Sequence, residues 1–143
     1  MSASTNNERR RTSVRNAQAK RAGQPFPLVE SFGCAFAGIF HTLTTQRNMK
    51  IQLGFAIAAI ILGFAFQIDA PSWLAIVICM GMVLGLECVN TALEAAIDLA
   101  SPEFHPLAGH AKDCAAGGVL VASVVALIVA AIVFIPKFFA LFG

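Results

Sequence analysis

The chain has 143 residues, of which 57% are hydrophobic and only 13% are charged, and its formal net charge is +2. Its mean hydropathy of +0.74 is far above that of a water-soluble domain of this length, so the composition excludes an ordinary soluble protein. The sequence therefore predicts a small all-α integral membrane protein.

The first 24 residues are mainly Ser, Asn, Gln and Arg, with almost no large apolar side chain. Such a segment cannot bury enough apolar surface to offset the entropy lost on folding, so we expect residues 1–24 to be a disordered basic tail. Its arginines would help to set the membrane topology and would attract anionic lipids. Residues 25–143 are expected to form one membrane-embedded domain.

An amphipathic helix is predicted next, at about residues 28–47. Its large apolar side chains recur at steps of three and four residues: Phe32, Phe36, Ile39, Phe40 and Leu43. This spacing places them on one helical face. The helix could lie on the cytoplasmic membrane surface or pack against the membrane-spanning helices, and the sequence leaves both arrangements open.

Three segments are apolar enough to cross a bilayer, at about residues 51–68, 73–99 and 113–135. A hydrocarbon core of roughly 30 Å requires about 20 apolar residues in a helix, so the predicted number of spans is three. The first span has no charged residue, and its strongly polar groups are Gln52 and Gln67. The second span begins apolar and becomes acidic towards its end.

The distribution of basic residues predicts the orientation. Eight of them precede the first span: Arg9, Arg10, Arg11, Arg15, Lys20, Arg21, Arg47 and Lys50. The connection at residues 69–72 has none. Because basic loops stay in the cytoplasm, the N-terminus is predicted to be cytoplasmic, together with the acidic end of the second span and the loop at 101–113.

The acidic end of the second span, LGLECVNTALEAAIDL, has an unusual polar face that comprises Glu87, Asn90, Glu94 and Asp98. At about 100° and 1.5 Å per residue, these four side chains lie within an arc of roughly 80° and extend over roughly 16 Å. Even low estimates for a charge at the bilayer centre are roughly 2.5 to 3.5 kcal/mol, so this face should contact the bundle interior, a partner subunit or cations. A purely structural role, as a carboxylate in a surface pair, is more plausible for Asp98 than for Glu87.

Lys112 and Asp113 follow this span in the sequence. A lone lysine there would be an interfacial anchor. Together with the acidic face, Lys112 completes the composition that binds a metal-bound polyphosphate, in which carboxylates ligate Mg²⁺ and an ammonium group contacts phosphate oxygens. The motifs GxxxxGK[ST] and GxGxxG are absent, so a nucleotide site would have to be built from helices.

Two stretches resemble the signature of the small prokaryotic diacylglycerol kinase family: ECVNTALEAAID (87–98), with its ExxNxxxExxxD spacing, and HPLAGHAKDCAAGGVL (105–120). The upstream AGIFHTLTTQRNMKIQ (37–52) resembles the undecaprenol kinase branch. The resemblance extends from about residue 31 to 135. It implies a homotrimer with three transmembrane helices and one surface helix per subunit, located in the bacterial inner membrane.

The same resemblance implies an activity. Composite active sites at the cytoplasmic membrane interface would transfer the γ-phosphoryl group of Mg-ATP to a lipid hydroxyl. The expected partners are a lipid alcohol, ATP, the bilayer and further copies of the chain, without nucleic acid. Undecaprenol is the first expectation for the acceptor, and diacylglycerol is the alternative.

The resemblance also implies roles for individual residues. Glu87 matches the general base that takes the proton of the lipid hydroxyl, and Glu94 matches a metal ligand. Gln46 stands in QRN where the family usually has ERN, so a second metal-binding carboxylate is replaced by an amide. An amide oxygen can ligate Mg²⁺ without the charge, which predicts weaker metal binding, compensation by another residue such as Glu30, or a catalytically weakened member.

The nucleotide pocket implied by the resemblance contains Asn90, Glu94 and Lys112, and Lys112 would contact the phosphates. Asp98 and Asp113 match polar positions that border the nucleotide.

Two other classes of function remain open at this stage. A small proton-coupled carrier or channel subunit would also hold acids in a membrane helix, but it would not need Asn90 or the pair Lys112 and Asp113. A non-catalytic membrane scaffold would explain the GxxxG spacing of Gly81 and Gly85, because small residues allow close helix approach.

Overall fold

The computed structural model describes residues 28–140, except for the side chain of Glu30. Within this range the chain forms four helices and no strand: α1 (Leu28–Thr45), α2 (Arg47–Ala65), α3 (Ala70–Ala100) and α4 (Pro106–Phe139). Helices α2, α3 and α4 are long and apolar enough to span a membrane. The predicted all-α membrane class and its three spans are thus confirmed, whereas the predicted tail at 1–24 lies outside the described residues.

Helix α1 has the predicted apolar periodicity. Phe32, Phe36 and Phe40 follow one another at steps of four residues, and all three are exposed. The helix ends at Thr45 rather than at residue 47. It ends there because Gln46 adopts an extended backbone (φ −93°, ψ 122°) and serves as the N-cap residue of α2.

The helix α2 begins and ends earlier than the predicted span at 51–68. Its start at Arg47 follows directly from the break at Gln46. Its end at Ala65 precedes Gln67, which has a left-handed backbone with φ of 48°. A residue other than glycine rarely adopts this backbone conformation, and a right-handed helix cannot contain it. The chain therefore turns at Gln67, and α2 does not continue to Ile68.

Helix α3 begins at Ala70, before the predicted span at 73–99, and its first turn is capped by a side chain. Asp69 is the N-cap residue, and its carboxylate accepts a hydrogen bond of 3.1 Å from the backbone N–H of Ser72. The hydrogen bonds with Ser72 lower the pKa of Asp69, because they favour the charged form. Pro71 lies in the first turn, where its missing N–H has no cost.

Helix α4 begins seven residues before the predicted position at 113. The ring of His105 caps it by accepting a hydrogen bond of 3.2 Å from the backbone N–H of Leu107, and Pro106 occupies the first helical position. The prediction that residues 101–113 form a loop was therefore wrong, and the connection is only residues 101–105. Proline at the first helical position is a helix start signal that the hydropathy of this segment does not show.

The three long helices alternate in direction. Gln52 near the start of α2 contacts Glu87 in the second half of α3. At the opposite end, the ring of Phe66, just after α2, lies 6.3 Å from that of Phe134 in α4. The start of α2, the end of α3 and the start of α4 therefore lie at the same end of the bundle, which brings the predicted polar residues together.

Gly63 allows a close contact between α2 and α3. A Cβ atom at this position would lie 2.6 Å from Cη2 of Trp73, well inside the distance of van der Waals contact. Trp73 also packs against the ring of Phe64 at 4.9 Å. By contrast, a Cβ atom on Gly81 or Gly85 would have no neighbour within 4 Å, so this GxxxG pair does not bring together helices of the same chain.

Helix length places the polar face in relation to a bilayer. The 31 residues of α3 extend over roughly 46 Å, which exceeds a hydrocarbon core of roughly 30 Å. With Trp73 at one edge of the core, the opposite edge falls near residue 93 at about 1.5 Å per residue. Glu87 then lies inside the core, and Asp98 lies beyond it.

Candidate active site

The carboxylic acid side chain of Glu87 is the most deeply buried side chain among residues 28–140, with 1% of its surface exposed. Asn90 and Thr91, on the next turn of α3, are also buried. These polar groups lie at the contact between helices, as the cost of exposing them to lipid requires. A buried acid in an apolar bundle is a feature that stability alone does not favour, so Glu87 is a candidate functional residue.

Two hydrogen bonds hold Glu87. The side-chain amide of Gln52 in α2 donates from Nε2 to Oε2 of Glu87 over 3.2 Å. The hydroxyl of Thr91 donates to the backbone carbonyl of Glu87 over 2.9 Å. The first bond fixes the carboxylate across the interface between α2 and α3, and the second is a local bond within α3.

One turn further along, Asn90 and Glu94 form a second amide–carboxylate pair. Nδ2 of Asn90 donates to Oε1 of Glu94 over 3.0 Å. The other amide atom, Oδ1 of Asn90, is buried and has no hydrogen-bond partner among the described residues. A buried acceptor without a donor costs about 1–3 kcal/mol of folding free energy. A cation could satisfy the unpartnered oxygen of Asn90, with the carboxylate of Glu94 as a second oxygen ligand.

The outer end of the polar face is open to solvent. Asp98 forms an ion pair with Lys112 that connects the end of α3 with the first turns of α4. The side chain of Asp98 is 66% exposed, and Asp113 is exposed as well. Exposed ion pairs contribute only about 0–1 kcal/mol, so Lys112 can exchange Asp98 for another anion at little cost.

Gln46, the N-cap residue of α2, lies at the same end of the bundle. It is half-buried, and its side chain makes no capping hydrogen bond to the helix.

Within residues 28–140, no three or more His, Cys, Asp and Glu side chains are grouped closely enough to form a metal site. The oxygen donors that the structure brings together, the carboxylate of Glu94 and the amide of Asn90, are hard ligands of the kind that Mg²⁺ prefers, and Mg²⁺ usually keeps waters and phosphate oxygens as its other ligands. The donor set therefore fits Mg²⁺ bound together with a phosphate ligand.

An apolar cavity of about 280 Å³ adjoins the Glu87 site. It is lined by residues from all three long helices, including Gln52, Val83 and Leu84, which lie next to Glu87, and Ala59 and Ile76 at the far end. Its rim contains side chains that are largely exposed: Ile51, Phe55 and Leu127. The cavity therefore opens at the apolar surface of the bundle, so a hydrocarbon chain could enter it sideways from a bilayer.

The described residues combine a buried acid in an apolar bundle, a lysine at the outer end of the polar face and an apolar cavity that opens at the bundle surface. The model of one protein family, described as prokaryotic diacylglycerol kinase, matches residues 33–134. The chain belongs to the prokaryotic diacylglycerol kinase family. It is accordingly an ATP-using kinase with the transmembrane architecture described above.

Individual relatives agree with this assignment. The chain is 39% identical to an undecaprenol kinase from Bacillus subtilis over 108 residues, which cover 76% of this chain and 88% of the relative. It is 37% identical to a diacylglycerol kinase from Synechocystis over 124 residues, covering 85% and 71%. It is 25% identical to a diacylglycerol kinase from Escherichia coli K12 over 101 residues, covering 71% and 83%.

The structure brings together most of the residues that the sequence singled out. Glu87, Asn90, Glu94 and Asp98 lie on one face of α3, and the exposure of that face increases from Glu87 to Asp98. Lys112 meets this face at Asp98.

Two polar residues of the site were not recognised from the sequence. Thr91 is four residues after Glu87, a spacing at which a hydroxyl commonly bonds back to a helical carbonyl, and this signal was available. Gln52 was noted as a polar group of the first span, but nothing in the sequence connects it with Glu87.

Proposed function

We propose that this protein transfers the γ-phosphoryl group of ATP to the hydroxyl of undecaprenol, giving undecaprenyl phosphate. The observation that carries the proposal is the position of Glu87, a buried acid next to an apolar cavity that opens at the bundle surface. The similarity to an undecaprenol kinase over 88% of that protein supports the choice of acceptor. The diacylglycerol kinases among the relatives make diacylglycerol the second candidate.

The cavity would orient the acceptor. It begins beside Gln52, close to Glu87, and extends towards Ala59 and Ile76, away from the end of the bundle that holds Lys112. A lipid chain in this cavity would have its hydroxyl at Glu87 and its tail towards the bilayer midplane. This is the orientation that a lipid alcohol already has in a membrane, so binding requires no inversion of the substrate.

Glu87 would act as the general base. Its carboxylate accepts the hydroxyl proton while the lipid oxygen forms a bond to the γ-phosphorus, and the bond from that phosphorus to the bridging oxygen breaks, so that ADP leaves with the electron pair. A positioned base contributes about 10²- to 10⁴-fold to such a step. Burial of the acid also excludes water, which would otherwise accept the phosphoryl group.

The nucleotide would bind at the outer part of the polar face. Glu94 would bind Mg²⁺ with the amide oxygen of Asn90 nearby, and Gln46 would supply a further neutral oxygen. Lys112 would leave Asp98 and contact the phosphates, while Asp98 and Asp113 would border the nucleotide. When bound, Mg²⁺ would neutralise charge on the transferring phosphoryl group.

The proposed orientation places this site in the cytoplasm, where ATP is available. Arg47 and Lys50 lie at the site end of α2, and the turn at the opposite end contains Asp69 but no basic residue. This asymmetry supports a bacterial inner-membrane protein with a cytoplasmic N-terminus. The proposed assembly is a homotrimer with sites between subunits, as the family resemblance implies.

A competition experiment tests the choice of acceptor. The purified protein is reconstituted in liposomes with undecaprenol and diacylglycerol at equal mole fraction and supplied with γ-labelled ATP and Mg²⁺. We expect most of the label in undecaprenyl phosphate. Label mainly in phosphatidic acid would assign the protein to the second candidate, and label in neither lipid would refute the proposed lipid kinase activity.

A further inference from the structure

Gln52 is a polar residue at the boundary between two different environments. It lies about five residues into α2, roughly 8 Å along the axis from Arg47, so it is within the membrane-spanning part of the helix. One side of its amide contacts Glu87, and the residue also lines the apolar cavity. Gln52 therefore contacts both the buried acid and the space for a lipid chain.

The orientation of the Gln52 amide follows from its partner. The amide group that faces Glu87 is the donor Nε2, which suits an ionised carboxylate because that group can only accept hydrogen bonds. The oxygen Oε1 consequently occupies the other position of the amide. This oxygen is buried and has no hydrogen-bond partner among the described residues. Burying an acceptor without a donor is unfavourable, and packing alone does not explain it.

Proton transfer to Glu87 would provide the missing donor. After the carboxylate takes the proton of a lipid hydroxyl, Glu87 becomes a carboxylic acid with one O–H group. An acid and an amide side by side can form two hydrogen bonds at once: the amide N–H donates to the acid carbonyl, and the acid O–H donates to the amide oxygen. In this arrangement every polar atom of the Gln52 amide that faces Glu87 is satisfied.

We propose that Gln52 is a positioning residue for the general base. Before the transfer its Nε2 orients the carboxylate towards the cavity, and after the transfer its Oε1 accepts a hydrogen bond from the new O–H group of Glu87. The proposal rests on the proposed function, because it requires that Glu87 receives the proton of the acceptor. A neutral amide serves both states without adding a charge to the apolar surroundings.

The test uses the variant Gln52→Met, which has a similar length but makes neither hydrogen bond. We expect kcat to fall roughly 10- to 100-fold, because loss of correct orientation at a reacting group has effects of this size. The KM for ATP should not change, because the nucleotide would bind at the opposite end of the polar face. The matched control is Gln67→Met, the same substitution at an exposed position at the other end of the bundle, and it should retain full activity.

A double-mutant cycle separates positioning from a structural role. If Gln52 acts through Glu87, Gln52→Met should have no further effect on the residual rate of Glu87→Gln. A purely structural role would lower the rate by the same factor in both backgrounds, and this result would overturn the proposal. Full activity of Gln52→Met would overturn it as well.

A binding measurement and a second variant distinguish a loss of positioning from a loss of folding. Binding of a non-hydrolysable ATP analogue reports whether Gln52→Met is folded. If it is not, Gln52→Asn replaces it, because the shorter amide cannot reach both positions, and the same loss of kcat is expected. An inactive wild-type protein would refute the proposed function itself, whereas an active wild type with an active Gln52→Met variant would refute only this inference.

Discussion

The size of the cavity predicts how much of the acceptor chain the protein recognises. A cavity of 150 Å³ holds one benzene molecule, so the observed 280 Å³ has room for roughly eleven carbon atoms. The helices give a similar result, because the lining residues from Ile51 to Ala59 of α2 cover roughly 12 Å. Both values correspond to two isoprene units, a small part of an undecaprenyl chain.

The experiment therefore varies the length of the polyprenol that is offered as the acceptor. We expect kcat/KM to rise as the chain grows to about two isoprene units and then to remain constant, because further units stay in the lipid and exchange one apolar environment for another. The assay compares polyprenols of increasing length in liposomes, each at the same measured mole fraction in the bilayer, with saturating ATP and Mg²⁺.

The result depends on where the rate stops changing. A plateau after two or three isoprene units would agree with the cavity. A rate that continues to rise up to the full undecaprenyl chain would show that recognition occurs along a longer surface, and it would refute the assignment of this cavity to the acceptor. A saturated alcohol with ten carbons provides a control for the shape of the chain.

Three further predictions concern Gly63, Asp69 and Gln46. Gly63→Ala should lower the midpoint of thermal unfolding, because its Cβ would lie 2.6 Å from Trp73 and overpacking costs about 1–3 kcal/mol; an unchanged midpoint would contradict this packing. The lowered pKa of Asp69 means that its cap stabilises the fold above the unfolded-state pKa and is lost as pH falls through the folded-state pKa. Asp69→Asn should therefore remove that pH dependence of the unfolding midpoint. Gln46→Glu should lower the Mg²⁺ concentration for half-maximal activity roughly tenfold, about 1.4 kcal/mol, and an unchanged Mg²⁺ titration would remove Gln46 from the metal site.

Local sequence signals predicted the helices better than their ends. The number of spans followed from hydropathy, and the acidic face of α3 followed from the helical repeat. The ends depended on single residues: the extended backbone at Gln46, the left-handed backbone at Gln67 and the cap formed by His105. Hydropathy windows average over these positions, so the predicted boundaries differed by up to seven residues.

Contacts between helices were harder to predict than faces on one helix. The face of α3 is determined by its own sequence, whereas the contact between Gln52 and Glu87 depends on the rotation and axial position of α2 relative to α3. The packing of large side chains, including Trp73 against Gly63, sets these two quantities. The sequence therefore identified Gln52 as polar without showing its partner.

The central claim is that Glu87 takes the proton from a lipid hydroxyl during phosphoryl transfer. The most direct measurement is the single-turnover rate of label transfer from γ-labelled ATP to undecaprenol in liposomes, for the wild type, Glu87→Gln and the exposed control Glu103→Gln. The account predicts that Glu87→Gln binds an ATP analogue normally but transfers label about 10²- to 10⁴-fold more slowly, while Glu103→Gln matches the wild type. A Glu87→Gln variant that transfers label at the wild-type rate would contradict it.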